Sequence, residues 1–414
     1  MLSKFFVARW RIRALEEGPA GTCLAGFGEM LVQNGYPPRT VRRHLRAAEH
    51  FIDWAKRQGL SVPMLDLQAL ARFRRHLDRC RCRYAHANRI EVFGRARMFL
   101  RYLCDAEIVG ASALDDAGDE PALLMEFAMW MRQQRGACAA TLDKYHRPIR
   151  DLLRQVGNVP SRWDVHQIRM FVLEQSQGAG WGAAKRCTTA VRMFIRFLIA
   201  TGHCPVGFDA VIPAIACWRL ATLPRYLQPA EVERVIGSCD RTTAVGCRDR
   251  AILLLLARLG LRGGDIVQLR LRDIDWRGAS IEVSGKSRRP TRLPLTQEVG
   301  QALARYLLHG RPSTNADAVF VRCRPPFRAF RGSSTISVIV DQALRRARVS
   351  RPSRGAAHLL RHSVASSMLR EGASLQDIAA VLRHRSIHTT EIYAKVDVRM
   401  LQAIAQPWPE VRPC

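Results

Sequence analysis

The sequence predicts a mainly α-helical protein with one small antiparallel β-sheet in the C-terminal half of the chain. Three observations carry this. Apolar residues recur at helical spacing through roughly the first 205 positions, as in Phe93, Ala96, Phe99, Leu100 and Leu103 with Arg95, Arg97 and Arg101 between them. Residues 251–256 are apolar on every face, as a buried central helix requires. Strand-type alternation appears at Ile281 and Val283, and Leu293 and Leu295 start a return strand beyond a charged turn.

The helical half contains a repeat. Arg97-Met98-Phe99-Leu100-Arg101-Tyr102-Leu103 returns as Arg192-Met193-Phe194-Ile195-Arg196-Phe197-Leu198, and each copy is followed by a helix-stopping glycine, Gly110 or Gly202. Residues 27–41 and 127–142 match more loosely, with Arg39-Thr40-Val41 against Ala140-Thr141-Leu142. Two related helical units are expected, near 20–112 and 121–205, split by an acidic, small-residue linker over 111–120. A second linker covers 205–224, where Gly207 and Pro213 loosen the pattern. The expected domains are 1–115, 116–210 and 221–414.

Beyond the second linker, Pro229 opens a helix at the position where its missing N–H costs nothing. Gly260 ends the buried helix, and Asp265 is expected to cap a helix over 266–270. Gly285-Lys286-Ser287-Arg288-Arg289-Pro290 makes the charged turn of the hairpin. Helices are expected over 336–349 and 359–370, the second stopped by Gly372. Ser374 with Asp377 resembles a capping box for 375–382, and 389–394 begins a further helical turn.

Charge narrows the function. There are 65 Lys and Arg against 36 Asp and Glu, a net +29 spread over the whole chain. Such a surface suits a polyanion, because each neutralised phosphate releases counterions. The longest apolar run, 251–257, is too short to span a bilayer, and the basic residues at 4, 9, 11 and 13 interrupt any signal-peptide core. No membrane association is expected. The twelve cysteines are scattered. Cys80 and Cys82 form the one close pair, and no zinc-ligand spacing occurs, so reduced thiols of a cytosolic protein are expected, with no metal and no cofactor.

One set of residues suits a single task. Arg262, Lys286, His358, Arg361, His384 and Tyr393 offer five basic groups and one phenol, in that order. Displacement at a phosphodiester builds negative charge on the non-bridging oxygens, and fixed cations aimed there are the main lever. Arg262 leaves the end of the buried helix and can hold phosphate oxygens bidentately. His358 and Arg361 lie three apart on one helix, so both project from one face. His358 can donate to a phosphate oxygen or assist a proton. Lys286, at the hairpin tip, can protonate a leaving 5′-oxygen. His384 can steady the phosphate or the phenol, and Tyr393 is the nucleophile. Alone, each has an ordinary reading: a solvated arginine, a turn lysine, a core tyrosine. His362 and His388 read as surface or supporting histidines.

At these residues the chain resembles the tyrosine recombinases of the phage-integrase family. The matching words are Leu259-Gly260-Leu261-Arg262, His358-Leu359-Leu360-Arg361-His362 and the stretch from Leu382-Arg383-His384 to Thr389-Thr390-Glu391-Ile392-Tyr393. Leu223-Pro224-Arg225-Tyr226-Leu227 and Asp273-Ile274-Asp275-Trp276 add to them. The resemblance covers 221–405, and 121–205 more weakly. It implies helical core-binding (SAM-like) domains that clamp duplex DNA with a catalytic domain. It implies cleavage without metal through a 3′-phosphotyrosine, and strand exchange through a Holliday junction in a homo-tetramer, with or without related recombinase subunits. It assigns the catalytic roles to Arg262, Lys286, His358, Arg361, His384 and Tyr393, and implies a bacterial cytoplasmic, nucleoid-associated protein. Lys185, Arg186, Arg288 and Arg289 stand where the clamp closes on DNA. Arg42 and Arg43, with Arg39 and Arg46, follow a phosphate track or form a solvated basic face. The tail with Val396, Val398, Leu401, Ile404 and Trp408 is expected to dock on a neighbouring protomer.

Two features depart from the family pattern. Arg383 stands where a glycine is usual, and the unit at 20–112 is additional, resembling an extra core-binding or arm-binding domain. The added unit and the basicity favour an integrase or transposase of a mobile element. The alternatives are an architectural DNA-binding subunit without catalysis and a monomeric type IB topoisomerase.

Overall fold

The structure is a computed structural model. It describes residues 2–18, 20–82, 84, 88–110, 121–178, 180–215, 223–284, 290–350, 355–384 and 386–396. The expected linker at 111–120, the hairpin tip at 285–289 and the tail beyond 396 lie outside them. The described residues fall into two compact units, one holding those up to 215 except 30–37, the other holding 30–37 and those from 223 onward.

In the first unit, α1 (Arg9–Glu16) precedes two runs of four helices, of which α2 (Gly21–Gln33) belongs to the unit only up to Glu29. The first run is α2, α3 (Pro38–Arg57), α4 (Leu67–Arg79) and α5 (Arg89–Asp105). The second is α6 (Ala122–Arg135), α7 (Ala139–Val156), α8 (Val165–Ser176) and α9 (Trp181–Ala200). Packing repeats with the order: α3 and α4 pack on each other and on α5, as α7 and α8 do on α9. A 3-10 turn leads into the third helix each time, Val62–Met64 and Pro160–Arg162, and an aspartate caps that helix, Asp66 or Asp164. The repeated sequence word forms the inward face of α5 and α9. Phe99, Leu100 and Leu103 are fully buried, as are Phe194, Ile195 and Leu198, whereas Arg97, Arg101 and Arg196 are exposed. Phe27 meets Phe99 edge-on at 5.1 Å between ring centres, and Phe127 meets Phe194 edge-on at 5.4 Å.

The close pair Cys80 and Cys82 gains two histidine neighbours that spacing along the chain does not announce. His50 on α3, His76 on the last turn of α4, and Cys80 and Cys82 just beyond it bring their ligand atoms within 4.8 Å of one another. Two helices supply what no local spacing announces.

The second unit is built around α11 (Ala244–Arg258). Ala251, Ile252, Leu253, Leu254, Leu255 and Leu256 are all fully buried, so neighbours cover every face of the helix. It packs against α13 (Gln297–Arg305) and α15 (Ala356–Arg370). Removing one such leucine from water contributes about 1.5–3 kcal/mol. α10 (Pro229–Gly237) begins with Pro229 at its first turn and a Gln228–Glu231 capping box. The sheet has three antiparallel strands: β1 (Ile274–Asp275), β2 (Ser280–Ser284) and β3 (Pro290–Pro294). Ile281 pairs with Ile274 on one side and Leu293 on the other, so one face of β2 is apolar and buried. The return strand starts at Pro290, earlier than its leucines suggest, and β1 adds a strand too short to show as alternation.

Three expected helices shift their bounds. The helix after Gly260 is α12 (Gly263–Gln268), with Arg262 as its N-cap. Asp265 therefore caps from inside, at the third position, by accepting the Arg262 backbone N–H at 3.1 Å. α14 (Ser334–Arg346) stops short of Val349. α15 starts three residues before Leu359. α16 (Leu375–Val381) carries the expected Ser374–Asp377 capping box, and the chain then runs through two 3-10 turns, Ile387–Thr389 and Glu391–Val396. Among the described residues no helix is long and apolar enough to cross a membrane.

Candidate active site

Three segments converge: the turn after α11, the face of α15, and the chain after α16. Gly260 makes the first turn, with a left-handed φ of +57° that a side chain would oppose. Arg262 follows immediately. On α15, Arg361 points inward and is 4% exposed, while His358, one turn earlier, is exposed. Arg361 donates to the carbonyls of Gly260 and Leu382. Arg262 donates through Nη2 to the Arg383 carbonyl at 3.0 Å. The two arginines thus tie the Gly260 turn to the Leu382–Arg383 turn.

Asp265 is the counter-charge. It is 5% exposed and accepts both the Arg262 N–H and, at 2.7 Å, Nη2 of Arg383. Arg383 has a φ of +53°, the left-handed region where glycine is favoured. That accounts for the family preference at this position. Here an arginine accepts the strained backbone and places its guanidinium on Asp265. Its Nε and Nη1 are buried without a hydrogen-bond partner among the described residues. Burial, then the Arg262 and Arg383 charges, pull the Arg361 guanidinium down to about 9. Burial likewise lowers Arg262.

Tyr393 sits in the last 3-10 turn. It is 1% exposed and packs with Ala365, Leu369, Ile378 and Leu382. Its hydroxyl lies 2.7 Å from Nδ1 of His362, the residue after Arg361. Burial pushes the phenol up to about 12, against a downward pull from Arg361. His362 is held down to about 4 by burial and by the charges of His358 and Arg361. A neutral imidazole and a protonated phenol share this one hydrogen bond, with its direction set by the imidazole tautomer. His384 Nδ1 is 2.7 Å from the hydroxyl of Thr390, which is fully buried. Burial and then Arg361 and Arg262 hold His384 down to about 4 as well.

Five of the six residues singled out by the sequence therefore lie on elements that meet here: Arg262, His358, Arg361, His384 and Tyr393. Lys286 lies outside the described residues, as do Arg288 and Arg289. Lys185 and Arg186 are exposed on the first turns of α9, with the Lys185 ammonium 4.9 Å from the centre of the Trp181 ring. Arg42 and Arg43 are exposed on α3, but Nε of Arg42 donates to the Phe5 carbonyl at 2.6 Å, which ties part of that guanidinium to its own chain. Sequence reasoning missed His362, whose spacing from His358 and adjacency to Arg361 were the available signal. It read Asp265 only as a cap and left Thr390 without a role.

The Phage integrase family model matches residues 225–400, the span that holds all of these elements. A putative integrase/recombinase, y4rA of Sinorhizobium fredii, is 33% identical over 98% of this chain and 99% of its own length. The chain belongs to the phage-integrase family of tyrosine recombinases. The tyrosine recombinase XerC of Pelotomaculum thermopropionicum is 28% identical over 67% of this chain and 94% of its own. A lambda integrase tetramer bound to a Holliday junction shares the fold, with a TM-score of 0.52 at 16% identity, covering 72% of this chain and 81% of that one. DNA cleavage and rejoining is the general activity of this family.

Proposed function

We propose that this recombinase is the integrase or transposase of a mobile element. It cleaves duplex DNA at specific paired sites through a 3′-phosphotyrosine at Tyr393 and exchanges strands through a Holliday junction in a homo-tetramer. The observation that carries this reading is the Tyr393 hydroxyl hydrogen-bonded to His362 beside Arg361, which is itself bonded to the turns bearing Arg262 and His384. The lambda integrase tetramer on a junction supports the assembly, and the additional helical run in the first unit supports a larger DNA footprint than the catalytic unit alone requires.

The chemistry balances without a metal. Arg262 and Arg361 bind the non-bridging oxygens of the scissile phosphate, and their charge stabilises the phosphorane-like state. Arg383 accepts from Arg262 through its carbonyl and holds its own guanidinium on Asp265, which braces the arginine cluster. The Tyr393 phenol leaves its apolar pocket, gives its proton to an imidazole, and its oxygen bonds to phosphorus. The bond from phosphorus to the 5′-oxygen breaks, and Lys286 protonates that oxygen. Attack by the partner strand's 5′-hydroxyl reverses these steps. His358, at the exposed rim, donates to a phosphate oxygen, and His384, fixed by Thr390, steadies the phosphate. The three regions 1–115, 116–210 and 221–414 act as an extra DNA-binding domain, the core-binding domain and the catalytic domain. Lys185, Arg186, Arg288, Arg289 and Arg43 contact the DNA backbone. The reaction takes place in the bacterial cytoplasm.

The test uses nicked duplexes carrying the terminal sequences of the element that flanks the gene, with chelator present. A covalent protein–DNA band on a denaturing gel, absent in Tyr393→Phe, supports the reading. Sequence-specific binding without any covalent band would instead mark an architectural subunit.

A further inference from the structure

We infer that the first helical unit carries a structural zinc site formed by His50, His76, Cys80 and Cys82. The four residue types are those of a borderline-soft, tetrahedral S2N2 site, and each offers one ligand atom to a common point. Nε2 of His50 is 3.3 Å from Nε2 of His76, 3.6 Å from Sγ of Cys80 and 3.0 Å from Sγ of Cys82. A tetrahedron with metal–nitrogen bonds of ~2.0–2.1 Å and metal–sulfur bonds of ~2.3 Å places its nitrogens about 3.3 Å apart and nitrogen and sulfur about 3.6 Å apart. The two sulfurs are 2.6 Å apart and both thiols are free. They separate by about 1 Å to meet that geometry.

Local structure explains the convergence. His76 and Cys80 are four apart at the end of α4, so they share one face of the helix. Cys80 is the C-cap, with extended φ and ψ of −66° and 125°, and the chain leaves the helix there. Alternate residues of an extended segment point to the same side, which brings Cys82 back beside Cys80. His50 arrives from α3. Its ring is stacked on Tyr84 at 4.6 Å and meets Phe73 edge-on at 5.1 Å, so aromatic walls fix its orientation. The Tyr84 hydroxyl is anchored on Asp53 of α3 at 2.9 Å.

Four protein ligands leave no open position, which makes the site structural rather than catalytic. Binding a divalent ion displaces one proton from each thiol into solvent, so two thiolates balance the ion's charge. The ion clips the end of α4 to α3. Among the described residues the second helical run has no such set. Its third and second helices are joined there by a hydrogen bond from Gln155 to Glu174 at 3.2 Å.

The test uses the full chain without DNA, so its outcome is independent of the recombination reading. After exposure to Zn2+ and passage into metal-free buffer, the chain retains about one equivalent of zinc. Co2+ in its place gives the intense visible bands of a tetrahedral thiolate site. Cys80→Ser with Cys82→Ser loses the retained metal, and so does His76→Ala. Chelation speeds hydrogen exchange in α3 and α4 of the unsubstituted chain, a readout that does not depend on the variants folding. Retention of no zinc by the unsubstituted chain, undiminished zinc in the double variant, or a pale octahedral cobalt spectrum would each overturn the assignment.

Discussion

Asp265 is a single buried carboxylate facing the arginines of the candidate active site, and replacing it with asparagine isolates its charge. The shape is nearly preserved, and the amide oxygen can still accept the Arg262 N–H that the carboxylate accepts at 3.1 Å. The ion pair with Arg383 at 2.7 Å is lost, and both partners are almost fully buried, at 10% and 4% side-chain exposure. Breaking a buried pair by removing one charge costs about 3–5 kcal/mol, because the other charge stays desolvated. Retention of one hydrogen bond puts Asp265→Asn near the lower end, about 3 kcal/mol. Native-state hydrogen exchange reads this without assuming that the two units unfold together. The slowest amides of α11 should exchange roughly 100-fold faster in the variant, since 1.4 kcal/mol is tenfold. Exchange within about threefold of the parent chain would mean that the arginines need no internal counter-charge, and the electrostatic picture of the site would be wrong.

Other outcomes follow from the same geometry. His362 and His384 titrate near 4 in the folded chain against an ordinary 6.5, so the unfolded chain binds more protons between those values. Their contribution is full above pH 6.5 and is lost as pH falls from 6.5 through 4. Urea midpoints across that window should fall less steeply for His362→Gln than for the parent chain, and parallel curves would contradict the burial of that imidazole. Arg383→Gly and Arg383→Ala both remove the pair with Asp265, but only glycine relieves the φ of +53°. Arg383→Gly should therefore be the more stable of the two by about 1 kcal/mol in a denaturant titration, and equal stability would deny the backbone strain. DNA affinity should fall by about 10³–10⁵ between 50 and 200 mM salt if 6–10 phosphates are contacted, and a flat response would contradict a backbone-wrapping surface.

The parts that were legible in the sequence are those written in local patterns. The all-apolar run of α11 announces a helix covered on every side, and the repeated word announces α5 and α9, because in both cases the buried face is set by spacing alone. Arg262, Arg361 and Tyr393 are legible because each follows a recognisable stop or start: Gly260, the α15 face, the turn after α16. His362 is not, since its partner lies 31 residues away and only packing of the last 3-10 turn on α15 brings them together. Asp265 hides for the same reason, with Arg383 118 residues distant. The two-histidine, two-cysteine cluster is the extreme case. His50 belongs to one helix and the other three ligands to the end of another, so no ligand spacing along the chain can show it.

The most direct measurement is the identity of the residue that becomes attached to DNA. The covalent complex trapped on a nicked element end, in chelator, would be digested with protease and nuclease and its linked peptide sequenced by mass spectrometry. A nucleotide joined through its 3′-phosphate to Tyr393 is the expected product. Attachment through another residue, or through a 5′-phosphate, would contradict the assignment of Tyr393 as the nucleophile.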